Sequence, residues 1–487
     1  MTGAARAACH LAARCIVLAS LAALAGSCAW VGKSRPPAPV TSGPAPAPSE
    51  VSGDGAGPPP VPPPAPPPPV AAPAPRLDQE PAIDVGLAVD LETLTFEPVA
   101  NATLTTEGGG GDPVAHVGPV PITVRAGHGR FRATWNAGAR HWDLARSDTL
   151  LVGGEGALDE NDPFRMRWKG STWRGRFKVF MNPRGKLSLA VRLPLETYLL
   201  GVVPGEIGML DDHLLEAGRA QAIAARSYTL FYRGRRGAEG FDLYGTVEDQ
   251  LYSPVESERA LATRCVESTR GTVALSDGQP IRANYCSTCG GITAEVWEAW
   301  PAAPLPYLVS HPDRDYCAAS PQYRWREEWS AQQFVATLVH YGPPQGVPMP
   351  PLGPGKLVDV RVDQRSRSGR VWQMTVQLTT GDVVIPAYSL RQVVRRPSHA
   401  GGASAKTIGN GNAIGNGAQI LRSNLFKIGV RRDPKSGRAL AVIASGAGSG
   451  HGVGLCQTGA LGMARAGSSA DQIVAHYYPG VSIERLY

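Results

Sequence analysis

His213-Leu-Leu-Glu-Ala-Gly-Arg-Ala-Gln-Ala-Ile-Ala-Ala-Arg-Ser-Tyr228 has the composition and period of a helix. With Asp212 as its cap it is predicted to run to about Tyr232. Gly218, Ala222 and Ala225 form a stripe of small residues that lets another backbone approach closely, which makes this helix the expected centre of the fold. Arg219, Arg226 and Arg233 recur every seven residues and share one face, within about 20° per step. Such a face is ordinarily solvated, and Arg226 is the arginine expected to meet an anion or substrate. Outward from the helix the period changes. Val85–Leu91, Ile122–Val124, Trp173–Phe180 and Lys186–Val191 alternate apolar and polar residues between Gly, Pro and Asn turns, as antiparallel strands do. Downstream, Lys356–Val362 and Val371–Leu378 form a predicted hairpin. Val453–Ala466 reads as a helix stopped by Gly467, and Ser469 with Gln472 is a capping box opening a last helix that ends by Pro479. The fold class is therefore α+β, antiparallel β elements packed with a few helices.

The 487 residues include 57 Gly and 44 Pro, with 43% hydrophobic and 18% charged residues. Eighteen of the prolines lie between Pro36 and Pro75, where Glu50 and Asp54 are the only charges. That stretch favours extended polyproline II and serves as a spacer. Before it, Arg6 and Arg14 precede the apolar run Cys15–Ala25, which has the length and flanks of an export signal and is too short to span a bilayer. Leu24-Ala-Gly-Ser-Cys28 offers two endings: lipidation at Cys28, or plain cleavage after Ala-x-Ala. The expected organisation is a signal segment over 1–28, a disordered Pro-rich linker over 29–82, a β-rich part over 83–190, and a core over 191–487 with a Gly/Asn-rich insertion at about 398–419. The protein is expected to be exported to the cell envelope or periplasm, meeting the membrane only through a lipid anchor. A net charge of +7 suits an anionic partner or surface, and no nucleic-acid-binding signature accompanies it.

Beyond the leader the cysteines are Cys265, Cys286, Cys289, Cys317 and Cys456, an odd number that cannot all pair within the chain. Cys286 and Cys289 have the C-x-x-C spacing of a metal site, which His311 or Cys317 could complete as structural zinc. A disulfide, for instance from Cys317 to one of the pair, competes in an exported protein. Cys265, in an apparent helix, reads as core. Cys456 close to His451 raises a Cys–His nucleophile, which would make a peptidase or amidase.

Pro194-Leu-Glu-Thr-Tyr-Leu-Leu-Gly-Val-Val-Pro-Gly-Glu206-Ile, followed by Glu216-Ala-Gly-Arg-Ala-Gln-Ala-Ile-Ala-Ala-Arg226-Ser-Tyr228, resembles the signature of the SpoIID family, which includes the LytB amidase enhancers. Gly450-His451-Gly-Val-Gly-Leu-Cys456-Gln457-Thr-Gly-Ala and His476-Tyr-Tyr are similar to its closing pattern, with Cys456 where the family has Ser. Cys286-Ser-Thr-Cys289-Gly-Gly and Pro321-Gln-Tyr-Arg-Trp325 fit its middle. The resemblance implies a peptidoglycan lytic transglycosylase with Glu206 as catalytic acid and no catalytic cofactor. It implies Arg219, Gln221, Arg226, Tyr228, His451 and Gln457 as substrate-binding residues, and glycan strands and a cell-wall amidase as partners. Taken alone, Glu206 reads as a loop carboxylate that caps the next helix or pairs with an arginine. For the acid role its pKa would be raised toward about 6 to 7 by partial burial. The non-catalytic alternative is an envelope-anchored peptidoglycan-binding or amidase-enhancing module.

Overall fold

The computed structural model describes residues 76–107, 115–154, 164–397 and 419–487. The signal segment, Cys28, nearly all of the Pro-rich linker and the Gly/Asn-rich insertion lie outside the described residues. What is described is α+β, with six sheets and seven helices among those residues.

The amino-terminal part is built of two antiparallel sheets. One has seven strands, with Ala82–Leu91, Leu187–Pro194, Arg176–Met181 and Thr149–Gly153 at its centre. A short parallel strand, Leu243–Tyr244, joins its edge. The other has six strands, including Thr93–Pro98, Ile122–Gly127 and Arg130–Trp135. Alternating residues of both sheets enter one core, where Phe96 and Phe177 meet edge to face at 5.3 Å. Strand Leu187–Pro194 runs through position 190 and leads directly into helix α1 (Leu195–Ile207), whose Tyr198, Leu199, Val202 and Val203 share that core.

Helix α2 (Leu215–Tyr232) is central, as the small-residue stripe predicts. Ala222 and Ala225 pack toward the β core, while Ala217, Ala220, Ile223, Ala224 and Tyr228 enter a second core. A Cβ on Gly218 would lie 2.6 Å from Sγ of Cys265 on helix α3 (Ala260–Ser268), so only glycine allows that approach. The cap differs from expectation: Asp211, not Asp212, accepts from the His213 N–H at 2.9 Å, and Asp212–Leu214 form a 3-10 turn before α2.

A third core holds helix α4 (Ala331–Tyr341), the predicted hairpin Leu357–Arg365 with Val371–Leu378, helix α5 (Ala387–Val393) and a three-stranded sheet centred on Ala439–Ala447. The chain then returns to the second core. Gln457–Arg465 forms helix α6 and Ala470–Tyr477 helix α7, the latter opened by the Ser469–Gln472 capping box. The helix expected from Val453 begins only at Gln457, because Leu455–Cys456 instead pairs in parallel with strand Tyr285–Cys286.

Candidate active site around Glu206

Glu206 stands in the last turn of α1 and not in a loop. Pro204 and Gly205 obscure this helix in the sequence, yet a proline in a final turn removes only one N–H from the ladder. At the other end the Glu196 N–H donates to Glu80 Oε1 at 2.7 Å and the Leu195 N–H to the Pro81 carbonyl at 3.0 Å, satisfying two exposed helix donors. The helix thus fixes the direction of the Glu206 side chain.

Three groups hold the carboxyl. The Leu251 N–H donates to Oε1 at 3.0 Å and Gln457 Nε2 donates to Oε2 at 3.2 Å. The Tyr285 hydroxyl is the third partner. Its proton is directed by Gln250, which is fully buried: Nε2 donates to the Ala225 carbonyl at 3.3 Å and to Tyr285 Oη at 3.0 Å. Oε1 of Gln250 accepts from Tyr198 and Thr229. Because Tyr285 Oη accepts from Gln250, its own O–H is free to turn toward Glu206. All three groups bonded to Glu206 are neutral. Burial raises its pKa above the ordinary 4.5, and the donors from Leu251, Gln457 and Tyr285 oppose that rise in part. The residue keeps some exposed surface, while its carboxyl is largely buried. The arrangement suits a carboxyl that carries a proton near neutral pH and delivers it to a bound oxygen.

The other predicted residues scatter around this centre. Gln457, first residue of α6, reaches Glu206. Tyr228 is buried, with its ring 6.2 Å from that of Tyr285, one step behind the carboxyl. Gln221 is fully buried on α2, and its side-chain amide has no partner among the described residues. Arg219 is half-buried, paired with Glu216 and bonded to Ser268 Oγ at 3.1 Å. Arg226 departs from its expected role. It is fully buried, Nε and Nη2 reach the Glu196 carboxylate at 2.8 and 2.6 Å, and Nη1 donates to the Thr272 carbonyl. It is unavailable to a substrate, and the three arginines do not share a solvated face.

His451 lies in a cavity of about 120 Å³ with Trp300, Arg370, Tyr388, Arg391 and Asn424, and its ring bonds the backbone of Tyr285. Its ring packs on Trp300 at 4.7 Å, and Nδ1 accepts from the Val453 N–H at 3.0 Å. Burial, with Arg391 and Arg370 nearby, pushes its pKa down to about 3. The Cys–His nucleophile is not built: Cys456 Sγ accepts from the backbone N–H groups of Cys289 and Gly459, at 3.2 and 3.3 Å, and no bond joins it to His451 among the described residues.

The expected metal set also changes. Cys289 and Cys317 do come together, but Cys286 and His311 stand outside the cluster, replaced by Asp313 and Cys456. Cys286 belongs to the strand paired with Leu455–Cys456, and His311 meets His476 edge to face at 5.0 Å. No disulfide forms among the described cysteines, and Cys265 is core as expected. Sequence reasoning missed Tyr285, Gln250 and Asp313. Tyr285 immediately precedes the C-x-x-C pair, the one signal that could have singled it out.

Residues 183–275, which hold α1, α2 and α3, match the family profile described as stage II sporulation protein, SpoIID. Over these residues the chain is similar to the SpoIID family. Residues 313–400 match a domain of unknown function, DUF8618, which covers α4, the hairpin and α5. The stage II sporulation protein D of Bacillus subtilis (strain 168) is 27% identical over 306 residues, which cover 60% of this chain and 74% of that protein. The amidase enhancer of the same organism is 28% identical over 310 residues, covering 58% of this chain and 40% of the enhancer. An uncharacterised protein of Brachyspira hyodysenteriae is 27% identical over 298 residues, 60% of this chain and 67% of that protein. No described helix is long and apolar enough to cross a membrane. Glu206 lies inside the SpoIID match, while His451 and Gln457 lie beyond it.

Proposed function

We propose that this chain is a lytic transglycosylase of peptidoglycan, cutting between N-acetylmuramic acid and N-acetylglucosamine. The observation that carries the reading is one carboxyl, Glu206, held by neutral donors and pushed by burial toward its protonated form. Asp249, two residues before Leu251, is engaged by Arg235 and Arg236 at 3.0 and 2.9 Å and serves structure. One carboxyl is enough for this chemistry. Glu206 gives its proton to the departing glycosidic oxygen as the bond to the anomeric carbon breaks. The muramic acid's own C6 hydroxyl then attacks that carbon and yields its proton to the Glu206 carboxylate, leaving a 1,6-anhydro end and restoring the acid. Tyr285 and Gln457 keep the carboxyl aimed through both halves. No catalytic cofactor enters the scheme. Export, with or without a lipid on Cys28, would bring the domain to its glycan substrate.

The amidase-enhancer relative favours a second reading, a module that binds glycan and assists a cell-wall amidase without cutting. Mass spectrometry of soluble products from intact and amidase-treated peptidoglycan separates the two. Anhydromuramyl products that vanish in Glu206→Gln support catalysis. Glycan binding by both proteins with no product from either substrate supports the assisting module.

A further inference from the structure

Four side chains from three separate segments converge in the second core. Cys289 follows strand Tyr285–Cys286, Asp313 and Cys317 lie in the loop beyond His311, and Cys456 caps α6. One donor atom from each lies within 4.8 Å of the other three, and all four residues are fully buried. We propose that Cys289, Cys317, Cys456 and Asp313 bind one zinc ion in a closed tetrahedral site that fastens these segments to the start of α6.

Three independent features carry this. First, Cys289 Sγ and Cys317 Sγ are 3.7 Å apart. Two thiolates each about 2.3 Å from a tetrahedral ion stand about 3.8 Å apart, whereas a disulfide needs about 2.05 Å. Second, Asp313 is a buried carboxylate with no cationic partner among the described residues: Oδ1 accepts from the Tyr477 hydroxyl at 2.5 Å and Oδ2 from the Cys317 N–H at 2.9 Å. A buried carboxylate beside three thiols is costly unless a positive charge joins it, and a divalent ion supplies that charge. Third, the outer groups are those a thiolate metal site uses. Cys456 Sγ accepts two backbone N–H bonds, from Cys289 and Gly459, and Tyr477 orients the carboxylate. Buried Arg370, whose Nη2 donates to the Cys289 carbonyl at 3.0 Å, offsets the negative charge of the filled site. Gly459 is required here, because a Cβ on it would come within 2.7 Å of Asp313 Oδ1.

Three soft sulfurs and one carboxylate in a closed, fully protein-made shell suit zinc held for structure. Binding displaces the thiol protons to solvent and involves no change of oxidation state. A Cys289–Cys317 disulfide, by contrast, would leave the Asp313 carboxylate buried without a partner of opposite charge among the described residues. The site also bears on Glu206, since the residue after Cys456 is Gln457, which bonds the carboxyl. That consequence alone rests on the catalytic reading.

The test is metal analysis of the full chain, purified with a non-chelating reductant, supplied with zinc and desalted. About one zinc per chain is expected, kept in Cys286→Ser and Cys265→Ser and reduced at least about fivefold in Cys456→Ser and Cys289→Ser. Cobalt(II) loaded into the unmutated chain should give intense near-ultraviolet sulfur-to-metal bands and tetrahedral visible bands, which decides the matter even where a variant fails to fold. Substoichiometric zinc with no thiolate–cobalt bands, a Cys289–Cys317 disulfide-linked peptide, or equal loss in Cys286→Ser would overturn the site. Zinc bound without glycan products would sink the catalytic reading and leave the metal site standing.

Discussion

Helix α1 carries two glutamates ten residues apart whose proton affinities shift in opposite directions. Glu196, in the first turn, is buried against Arg226, and it also accepts from Tyr487 Oη at 2.6 Å and the Gly271 N–H at 3.1 Å. Burial alone would raise its pKa, but the arginine and these donors more than offset it and hold it below 4.5. Glu206, in the last turn, meets only neutral donors, so burial prevails and its pKa rises. The same residue type on one helix thus becomes a permanent anion at one end and a proton carrier at the other. What separates them is whether a cation is buried alongside. The ion pair fixes α1 against α2, and that rigidity aims Glu206.

The comparison breaks most sharply at Glu206. Glu206→Gln should lower the rate of anhydro-product formation by about 100- to 10,000-fold with little change in the unfolding midpoint, as read by product mass spectrometry and denaturant titration. Glu196→Gln should do the opposite. Leaving Arg226 buried and uncompensated costs about 3–5 kcal/mol of stability in denaturant unfolding, and turnover per folded molecule should fall far less. A variant of Glu196 that kept full stability but lost activity would show that the two roles had been assigned the wrong way round.

The pH dependence of stability should separate the two more finely. Glu196 is depressed below 4.5, so its contribution is present above about pH 4.5 and is lost as pH falls through the folded value. Glu206 is raised above 4.5, so the native state holds that proton more tightly. Its contribution is present below about pH 4.5 and is lost as pH rises through the folded value. Melting curves across pH should therefore show the gap between wild type and Glu196→Gln closing in acid. The gap between wild type and Glu206→Gln should move against the wild type as pH rises. The smallest effect is expected of Tyr285→Phe. Losing that donor raises the Glu206 pKa further, moving the alkaline limb of the pH–rate profile upward, with turnover lowered by about 3- to 10-fold. An unshifted limb would remove Tyr285 from the account.

Local signals in the sequence carried much of the fold. The hairpin around 356–378, the Ser469 capping box, the small-residue stripe on α2 and most of the alternating strands depend on neighbouring residues and are found where their patterns place them, except that the strand expected over Trp173–Phe180 breaks at Gly175 into Ser171–Arg174 and Arg176–Met181, in different sheets. Helix α1 was hidden because Gly201, Val202, Val203, Pro204 and Gly205 all favour other conformations, and tertiary packing overrides them. Arg226 was misread for a related reason. A seven-residue spacing reports a common face but not what covers it, and Glu196 lies thirty residues away. The metal-type cluster was half legible: C-x-x-C marked Cys289, but Asp313 and Cys456 are brought in by parallel pairing and loop return, which no spacing records. The candidate acid was visible through its motif, whereas Gln250 and Tyr285, which set its proton, depend on long-range hydrogen bonds.

The most direct measurement is a titration of the glutamate side-chain carboxyls by carbon-13 NMR from about pH 3 to 8, with each resonance assigned by its loss in Glu206→Gln or Glu196→Gln. The account predicts that the Glu206 resonance titrates above 4.5 and the Glu196 resonance below it. A Glu206 carboxyl that titrates at or below 4.5 would contradict the claim that this position is built to hold and deliver a proton.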